Sequence, residues 1–227
     1  IVLAGPAPDC IEQLDELAGP WRHALSPDAV ITDVASTKEA IVLRATALGL
    51  RFVGGHPMAG RETSGYAASS ADLFAECPWV IVPTADAAAV GRVEALATAC
   101  GAHPVRLGAA AHDRAVAGIS HLPLVVGAAL VEAVAGDGSA GTSADWPTAA
   151  LLAATGWRDT TRLARGDVTM GAGIIATNAP AIAGRVRDLV AALDGWIAEL
   201  ERPGGPDPGE IAERLRTARD RLEAMPR

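Results

Sequence analysis

The stretch Arg51-Phe-Val-Gly-Gly-His56-Pro57 places a histidine directly after a short apolar run and two glycines. Such a run is typical of a buried strand that ends abruptly at the glycines. Because Pro57 has no N–H and keeps His56 out of the helical region, we expect the strand to end there with His56 at its tip. A histidine in that position can accept a proton near neutral pH. A turn histidine without a chemical role is the other interpretation, and this stretch alone does not separate the two.

Outward from this stretch, strand-like and helix-like segments alternate through the first half of the chain. Apolar segments of strand length lie at residues 1–4, 29–34, 51–53, 79–82 and 105–107. Ser36 followed three residues later by Glu39 has the pattern of a capping box, which predicts a helix from Ser36 to about Leu48. Alternation of this kind predicts an open, largely parallel α/β sheet.

Three of these strands are followed by residues that suit a binding site. Gly5 and Pro6 follow the first strand, Ser36 follows the second, and His56 follows the third. Ligands of open α/β sheets bind outside the carboxyl ends of the strands, so we expect these residues to share one crevice. Ser36 is equally well explained as a helix N-cap, a position where serine is favoured.

The basic side chains are almost all arginines. Lys38 is the only lysine among the 19 lysines and arginines, which indicates either an ammonium group required near the crevice or a solvated residue of a first helical turn. Arg158 and Arg162 are four residues apart and share one face if their segment is helical. Because a guanidinium binds a carboxylate through two parallel hydrogen bonds, this pair is a candidate carboxylate clamp. Asp159 and Asp167 offer the alternative of surface ion pairs.

From residue 109 onward the sequence has no strand-like segment, so we divide the chain into an α/β part at 1–108 and an all-α part at 109–227. The helices hold more apolar surface than one small bundle needs, which predicts a dimer interface. The most apolar stretch, residues 115–134, contains His121, Pro123 and Glu132, and we expect a buried helix rather than a membrane span. A histidine flanked by apolar residues, as His121 is, is more often a core residue than a ligand.

Charge and cysteine usage limit the possible partners. The formal net charge of −8 argues against nucleic acid or an anionic membrane, but it allows a local basic pocket for a small acid. Cys10, Cys77 and Cys100 are far apart and form no CxxC or Cys/His metal spacing. We therefore expect reduced thiols, no metal site and a cytoplasmic location. The strand-like start at Ile1 leads us to expect preceding residues that complete the first domain.

One glycine motif is interpreted as structural. Gly171-Ala-Gly173-Ile-Ile-Ala176 matches the G-x-G-x-x-A fingerprint of dinucleotide-binding loops. A true fingerprint follows a buried strand, whereas polar Arg165-Gly-Asp167 precedes this one and helix-like sequence surrounds it. We therefore expect a helix here and not a nucleotide site.

Four motifs occur in order along most of the chain: Thr32-Asp-Val-Ala-Ser36-Thr-Lys38, Gly54-Gly-His56-Pro-Met-Ala-Gly60 followed by Glu62, Ile119-Ser-His121-Leu-Pro, and Gly156-Trp-Arg-Asp-Thr-Thr-Arg162-Leu-Ala. Together they resemble the prephenate dehydrogenase family, which includes arogenate and cyclohexadienyl dehydrogenases. The resemblance implies that residues 1–108 are the C-terminal part of a Rossmann-type domain. It implies that residues 109–227 are a helical substrate-binding and homodimerisation domain.

The resemblance also implies a reaction, the NAD- or NADP-dependent oxidative decarboxylation of tyrosine biosynthesis. Hydride leaves ring C4 of prephenate for NAD(P)⁺, carbon dioxide leaves C1, and 4-hydroxyphenylpyruvate is formed; arogenate would give tyrosine. His56 is implied to accept the proton of the ring hydroxyl, and Ser36 to bond to that histidine near the nicotinamide. The choice of substrate, the choice of cofactor and feedback inhibition by tyrosine stay open.

The same resemblance implies two sets of binding residues. The carboxylate of the ring is implied to be bound by Arg162, and the rest of the substrate pocket to include Arg158, Glu62, His121 and Gly156. The cofactor side is implied to include Gly5, Pro6, Ser36 and Lys38.

Two other functions fit parts of the pattern. A non-catalytic dimeric fragment that binds the substrate or tyrosine is suggested by the lack of a glycine-rich dinucleotide loop at the first strand of the chain. A β-hydroxyacid dehydrogenase of similar two-domain plan would need a catalytic lysine in the helical part. Lys38 lies in the α/β part, which disfavours that alternative.

Overall fold

The computed structural model of the chain describes residues 1–60, 69–136 and 143–225. It divides into two compact units, Ile1–Ile182 and Ala183–Arg227. In the described part of the chain, strands and helices both occur up to residue 106 and helices alone follow, which confirms an α/β part followed by an all-α part. The helices up to residue 182 nevertheless belong to the same compact unit as the strands, so the 108/109 boundary is a change of structural class and stays a prediction as a domain boundary.

The first sheet is parallel, as the alternation of strands and helices predicts. Its strands β1 (Val2–Leu3), β2 (Ile31–Asp33) and β3 (Phe52–Val53) lie in chain order. Helices α1 (Ala7–Ala18) and α2 (Glu39–Ala47) connect them and pack against each other. The shared core of this layer is built from Leu3, Cys10, Leu14, Ile31, Ile41 and Phe52.

The second sheet is mixed. Strand β5 (Pro78–Ile81) pairs in parallel with β6 (His103–Arg106) and antiparallel with β4 (Gly55–Pro57). Helix α3 (Ala87–Ala99) packs against this sheet and against β3. The core of this layer includes Val53, Trp79, Ile81, Val90, Val93 and Ala97.

The prediction that a strand ends with His56 at its tip is wrong. β3 ends at Val53, β4 begins at Gly55, and His56 therefore lies within a paired strand, opposite Val80. Interstrand hydrogen bonds are made at residues 54 and 58, and bonded positions alternate along an antiparallel pair. Pro57 falls at a non-bonded position of an edge strand, where its missing N–H removes no interstrand hydrogen bond.

Gly55 is required where the two sheets meet. A Cβ at this position would lie 2.6 Å from the carbonyl oxygen of Asp33 and 3.0 Å from the indole nitrogen of Trp79. The same close approach lets the Gly55 amide donate to the Asp33 carboxylate at 3.0 Å. The second glycine of the opening stretch therefore allows β4 to pack directly against β2.

The predicted capping box at Ser36 is also wrong, because α2 begins at Glu39. Its cap comes from Asp113 of helix α4 (Ala109–Val116): Oδ1 accepts from the Lys38 amide at 2.8 Å, and Oδ2 accepts from the Glu39 amide at 2.9 Å. Amides at a helix N-terminus have no partner within the helix, and a negative charge there is favourable. A carboxylate distant in sequence therefore caps α2 in place of the local serine.

After α4 the chain passes through a π-helical segment, Ala117–His121, into helix α5 (Leu122–Ala135). Pro123 cannot donate a hydrogen bond to residue 119, which explains why the helix is irregular just before it. By length and composition alone, Ala109–Ala135 is long and apolar enough to cross a membrane, and 22% of its most apolar window is buried in this structure. We expected this stretch to be a buried helix. In the single chain that prediction is wrong for α5, where Gly127 is the sole buried residue.

The segment that carries the arginine pair is broken into short pieces. Helix α6 (Trp146–Leu152) precedes α7 (Thr155–Thr160), so Gly156 lies in the first turn of a helix and does not end one. Arg158 lies on α7, whereas Arg162 starts a separate 3₁₀ turn, Arg162–Arg165. The expected common helical face of the two arginines is therefore not formed.

The G-x-G-x-x-A run lies within helix α8 (Val168–Thr177), as expected for a structural motif. A Cβ on Gly173 would lie 2.9 Å from Cδ of Pro8, so this glycine allows α8 to pack closely against the start of α1. The motif thus supports helix packing.

Helix α9 (Ala179–Leu200) begins in the first unit and extends into the second, which also contains α10 (Pro208–Glu223). Within the second unit, Arg214 donates to the carbonyl of Gly195 at 2.8 Å, and its guanidinium lies 3.9 Å from the ring centre of Trp196. Half-exposed apolar side chains follow each other along α9 at Val190, Leu193, Ile197 and Leu200.

Candidate active site

His56 is anchored by its backbone in β4 and by its ring in a histidine pair. Nδ1 of His56 lies 2.8 Å from Nε2 of His112, and the two rings meet edge to face with centroids 5.0 Å apart. His112 is on α4, so this contact joins the second sheet to the first helix after the strands. The His56 ring is therefore held in one orientation by a side chain from a different element.

The histidine pair continues into a carboxylate. Nδ1 of His112 lies 2.7 Å from Oδ1 of Asp113, the residue that also caps α2. His112 is 1% exposed and Asp113 is 2% exposed. Burial alone would raise the pKa of Asp113, but hydrogen bonds from His112 and from the Glu39 and Lys38 amides lower it below the ordinary value. The carboxylate is therefore held as an anion behind the two histidines.

His56 is uncharged at neutral pH. Burial lowers its pKa from 6.5 to about 3, and electrostatic interactions with His112, Lys38 and His121 act in the same direction, while Asp113 opposes them. An uncharged imidazole has a nitrogen lone pair that can accept a proton. The site therefore presents His56 in the form that general-base chemistry requires.

Lys38 is buried and ion-paired, which neither of the two interpretations drawn from the sequence included. Its side chain is fully buried; the ammonium forms an ion pair with Asp33 and donates to the Gly55 carbonyl at 2.7 Å. Burial raises the pKa of Asp33 and lowers that of Lys38, because desolvation outweighs their attraction. The interpretation of Lys38 as a solvated residue is wrong, and its contacts support a role in the frame of the site rather than direct contact with a nucleotide.

Gly5, Pro6 and Ser36 lie where the sequence places them, past the carboxyl ends of β1 and β2, and are partly buried. Beside Ser36, the Thr37 hydroxyl lies 2.8 Å from the Thr177 hydroxyl, which ties this loop to the end of α8. Among the described contacts none joins Ser36 to His56, so that bond stays a prediction. The position of these residues fits the place where open α/β sheets bind nucleotides.

His121 is 1% exposed and belongs to the same buried network. Its Nδ1 lies 3.1 Å from Nδ2 of Asn178, which also donates to the Asp113 carbonyl at 2.8 Å. Burial lowers the pKa of His121 to about 4, with Asp113 opposing and His112 adding to the effect. Its surroundings match the interpretation as a core histidine, and its contact with substrate stays a prediction.

The residues implied to bind the substrate carboxylate lie outside this network. Arg158, Arg162 and Gly156 are exposed, and the hydrogen bonds described for His56, His112 and His121 are made to other residues. The turn that begins at Arg162 packs against α5 at Gly127, where a Cβ would lie 3.6 Å from Cβ of Ala164. Glu62 lies outside the described residues, and its role stays a prediction.

Sequence reasoning missed His112, Asp113 and Asn178. A signal for the first two was present: two adjacent titratable residues stand in the alanine-rich start of the first helix after the last strand. Asn178 could not be found from the sequence, since its partners are 57 and 65 residues away.

Neither a metal site nor a complete dinucleotide loop emerges from the described residues. In the part of the chain that the structure describes, no cluster of three or more His, Cys, Asp or Glu side chains could hold a metal ion, and the expectation of no metal stays a prediction. A second fingerprint match, Gly136-Asp-Gly-Ser-Ala-Gly141, directly follows helix α5 and lies outside the described residues after Gly136. It lacks the preceding strand that a dinucleotide loop requires.

Comparison with known proteins identifies both halves of the chain. Residues 1–106 match the family model described as prephenate dehydrogenase, nucleotide-binding domain. Residues 108–214 match the model described as prephenate dehydrogenase, dimerization domain. A prephenate dehydrogenase of Bacillus subtilis is 32% identical over 100% of this chain and 59% of its own length. The chain spans between 49% and 61% of the length of the four curated relatives it matches.

Solved structures agree with these matches. The arogenate dehydrogenase of Synechocystis is 32% identical, with a TM-score of 0.77 over 98% of this chain and 78% of that protein. The prephenate dehydrogenase of A. aeolicus, solved with hydroxyphenyl propionate and NAD⁺, is 26% identical with a TM-score of 0.82 over 99% of this chain and 76% of that protein. Two consecutive domain models of one family, matched in order, and a common fold with its solved members lead to one conclusion: the chain belongs to the prephenate dehydrogenase family.

Proposed function

We propose that this protein is an NAD-dependent dehydrogenase that oxidatively decarboxylates prephenate to 4-hydroxyphenylpyruvate, or arogenate to tyrosine, with His56 as the general base. The observation that carries the proposal is the uncharged His56 ring, held by His112 and Asp113 close to the loop that contains Ser36. Membership of the family supports the reaction class, and the solved complex of a relative with NAD⁺ supports the cofactor.

The residues present fit the nicotinamide end of such a cofactor. Gly5 and Pro6 follow β1, Ser36 follows β2, and these strands are adjacent and parallel. The bound cofactor would supply the acceptor for the hydride that leaves ring C4. The residues around it orient the substrate so that the same ring carbon also faces His56.

His56 would take the proton of the ring hydroxyl as that carbon becomes a carbonyl. The O–H bond breaks, an N–H bond forms on the imidazole, and the electron pair of the O–H bond becomes the second bond of the carbonyl as hydride leaves C4. Loss of carbon dioxide from C1 then makes the ring aromatic and leaves a phenolate at C4, which takes the proton back from His56. A base that is already uncharged at neutral pH is ready for this step at the pH of the cytoplasm, where we place the protein.

Arg162, with Arg158 on the neighbouring helix, would bind the carboxylates of the substrate. The substrate is an anion, or a zwitterion with one extra carboxylate, and the chain has a net charge of −8. A local arginine pair is therefore needed to overcome the general repulsion. Both side chains are exposed.

The helical part would form a homodimer. Four half-exposed apolar side chains, Val190, Leu193, Ile197 and Leu200, lie along α9, and unpartnered apolar surface of this kind is typical of interfaces. The match of residues 108–214 to a dimerization domain supports the same assignment. Light scattering on the purified protein tests it: a monomeric mass at micromolar concentration contradicts the dimer.

The assay that tests the proposed function follows reduced nicotinamide formed from prephenate and, separately, from arogenate, with NAD⁺ or NADP⁺. Turnover of either substrate that disappears in His56→Asn supports the proposal, and comparison of the four combinations fixes substrate and cofactor. Added tyrosine tests feedback inhibition in the same experiment. Absence of turnover with all four combinations, by protein shown to bind a dinucleotide, contradicts it.

A second candidate function is a non-catalytic dimer that binds the substrate or tyrosine. It is favoured by one observation: neither fingerprint match in the chain directly follows a strand. Calorimetry separates the candidates, because tight binding of NAD⁺ or NADP⁺ to this chain is incompatible with the second.

A further inference from the structure

We infer that His112, oriented by Asp113, is a positioning residue that holds His56 in the tautomer protonated on Nδ1, so that Nε2 of His56 is the atom that accepts the proton. The catalytic consequence rests on the proposed function, but the tautomer itself is a property of the protein alone. The inference is carried by a chain of two hydrogen bonds, His56 to His112 at 2.8 Å and His112 to Asp113 at 2.7 Å.

Asp113 decides which atom donates in each of the two hydrogen bonds. Oδ1 of Asp113 accepts from the Lys38 amide and Oδ2 from the Glu39 amide, at the N-terminus of α2. Two backbone donors and the positive end of a helix favour the ionised carboxylate, which can only accept hydrogen bonds. Nδ1 of His112 must therefore carry the proton of the bond to Asp113.

The donor and acceptor of the bond between His56 and His112 follow from the chemistry of imidazole. An uncharged ring with its proton on Nδ1 has an acceptor at Nε2, and the bond made by one nitrogen decides the state of the other. Nε2 of His112 therefore accepts, and Nδ1 of His56 donates. This leaves the lone pair of the uncharged His56 on Nε2.

His121 provides an internal contrast. Nδ2 of Asn178 donates to the Asp113 carbonyl at 2.8 Å, which fixes that atom as the amide nitrogen. The same nitrogen faces Nδ1 of His121 at 3.1 Å, so Nδ1 of His121 is an acceptor and its proton is on Nε2. The network thus holds two neighbouring histidines in opposite tautomers, one with an accepting and one with a donating Nε2.

The arrangement also disperses the charge that the reaction creates. When Nε2 of His56 gains the substrate proton, the proton on Nδ1 is already shared with His112. Its transfer to Nε2 of His112 breaks one N–H bond, forms another, and brings the positive charge next to the Asp113 anion. Without this path the charge would stay on the buried His56 ring, where desolvation and the nearby Lys38 cation disfavour it.

The test reads the tautomers directly, by two-bond ¹H–¹⁵N correlation spectra of the chain labelled on histidine nitrogen, without substrate or cofactor. The chain has five histidines, and His56→Asn and His112→Phe assign the two signals. We expect His56 and His112 to be protonated on Nδ1 and His121 on Nε2 at neutral pH. In His112→Phe the signal of His56 should move to the Nε2-protonated form, while the exposed-site control His103→Gln leaves it unchanged. A wild-type His56 protonated on Nε2 overturns the inference whether or not any variant folds.

Kinetics test the consequence on a form of the protein that binds NAD⁺. His112→Phe should lower kcat by about 10–100-fold with little change in KM, a part of the roughly 10²–10⁴-fold that general-base catalysis supplies. His112→Gln should recover part of this loss, because its amide oxygen can accept from Nδ1 of His56. An unchanged kcat in folded His112→Phe overturns the positioning role. If the wild type turns over neither substrate, the proposed function fails while the spectra still decide the tautomer.

Discussion

Lys38 and Asp33 form an ion pair in which neither side chain is exposed to solvent. The pair ties the loop after β2 to β4, because the lysine also donates to the Gly55 carbonyl at 2.7 Å. It therefore holds together the strand that precedes Ser36, β2, and the strand that contains His56, β4.

Removal of one partner of this pair should be strongly destabilising. Lys38→Met leaves the Asp33 carboxylate buried without its cation, which typically costs about 3–5 kcal/mol of the free energy of unfolding. The matched control is Arg44→Met, which breaks the solvent-exposed pair with Asp15 and should have little effect. Urea unfolding of both variants measures the difference. Equal stabilities would show that the buried pair does not hold the site together.

Gly55→Ala should destabilise the protein, because the new Cβ would lie 2.6 Å from the Asp33 carbonyl oxygen. The backbone must move, and the cost should be at least about 1–3 kcal/mol, as for other forced overpacking. Gly91→Ala is the matched control: it lies within α3 with open space around it, so the same change should stabilise by roughly 0.5–1 kcal/mol. Thermal unfolding should shift in opposite directions for the two variants. A shift in the same direction would contradict the close contact of β4 and β2.

Acid should weaken the fold as pH falls from about 6.5 towards 4. Burial lowers the pKa of His121 from 6.5 to about 4 and that of His56 to about 3, so the unfolded chain binds protons more strongly in this range. The stabilisation is complete above the unfolded pKa and is lost as pH falls, because the free energy of unfolding follows the difference in bound protons. Urea unfolding at about pH 7 and about pH 5 measures this loss.

In that experiment, His121→Leu should lose less stability between the two pH values than the wild type. His103→Leu, which replaces an exposed histidine, should lose as much as the wild type. Identical pH dependence of the wild type and His121→Leu would show that His121 does not contribute to acid sensitivity.

The sequence predicted the parallel first sheet and the helical second half because both depend on local apolar patterns. It also predicted that the motif containing Gly173 lies in a helix and not in a nucleotide-binding loop, since no strand precedes it. The errors at Ser36 and Pro57 have a common cause. Asp113 competes with Ser36 for the amides of α2, and Val80 pairs with His56, so contacts between residues far apart in sequence decided both.

The candidate site was predicted in part. His56 and Ser36 were singled out as residues that follow predicted strands; Ser36 does follow one, whereas His56 lies within β4, and the roles of both stay predictions. The residues behind them were missed, since the role of His112 depends on its contact with His56, which is 56 residues away in sequence. Lys38 was singled out for its rarity, but no local pattern shows that its partner is Asp33.

Arg162 should serve substrate binding and not proton transfer. Arg162→Ala should raise KM with a smaller change in kcat. The binding free energy lost should be about 2–5 kcal/mol, the scale for truncating one partner of a desolvated charge pair. Arg162→Lys should also weaken binding, because an ammonium does not reproduce the planar fork of a guanidinium. Arg165→Ala removes an exposed arginine of the same turn and is the matched control. If Arg162→Ala leaves KM for prephenate and arogenate unchanged, Arg158 becomes the candidate.

The central claim is that uncharged His56 is the base that takes the proton of the ring hydroxyl. The most direct measurement compares kcat and KM of the wild type and His56→Asn, with NAD⁺ and whichever of prephenate and arogenate the wild type turns over. The asparagine can still form hydrogen bonds but cannot accept a proton at neutral pH. We predict a kcat lower by about 10²–10⁴-fold with KM largely unchanged. A His56→Asn variant that turns over at close to the wild-type rate would contradict the account.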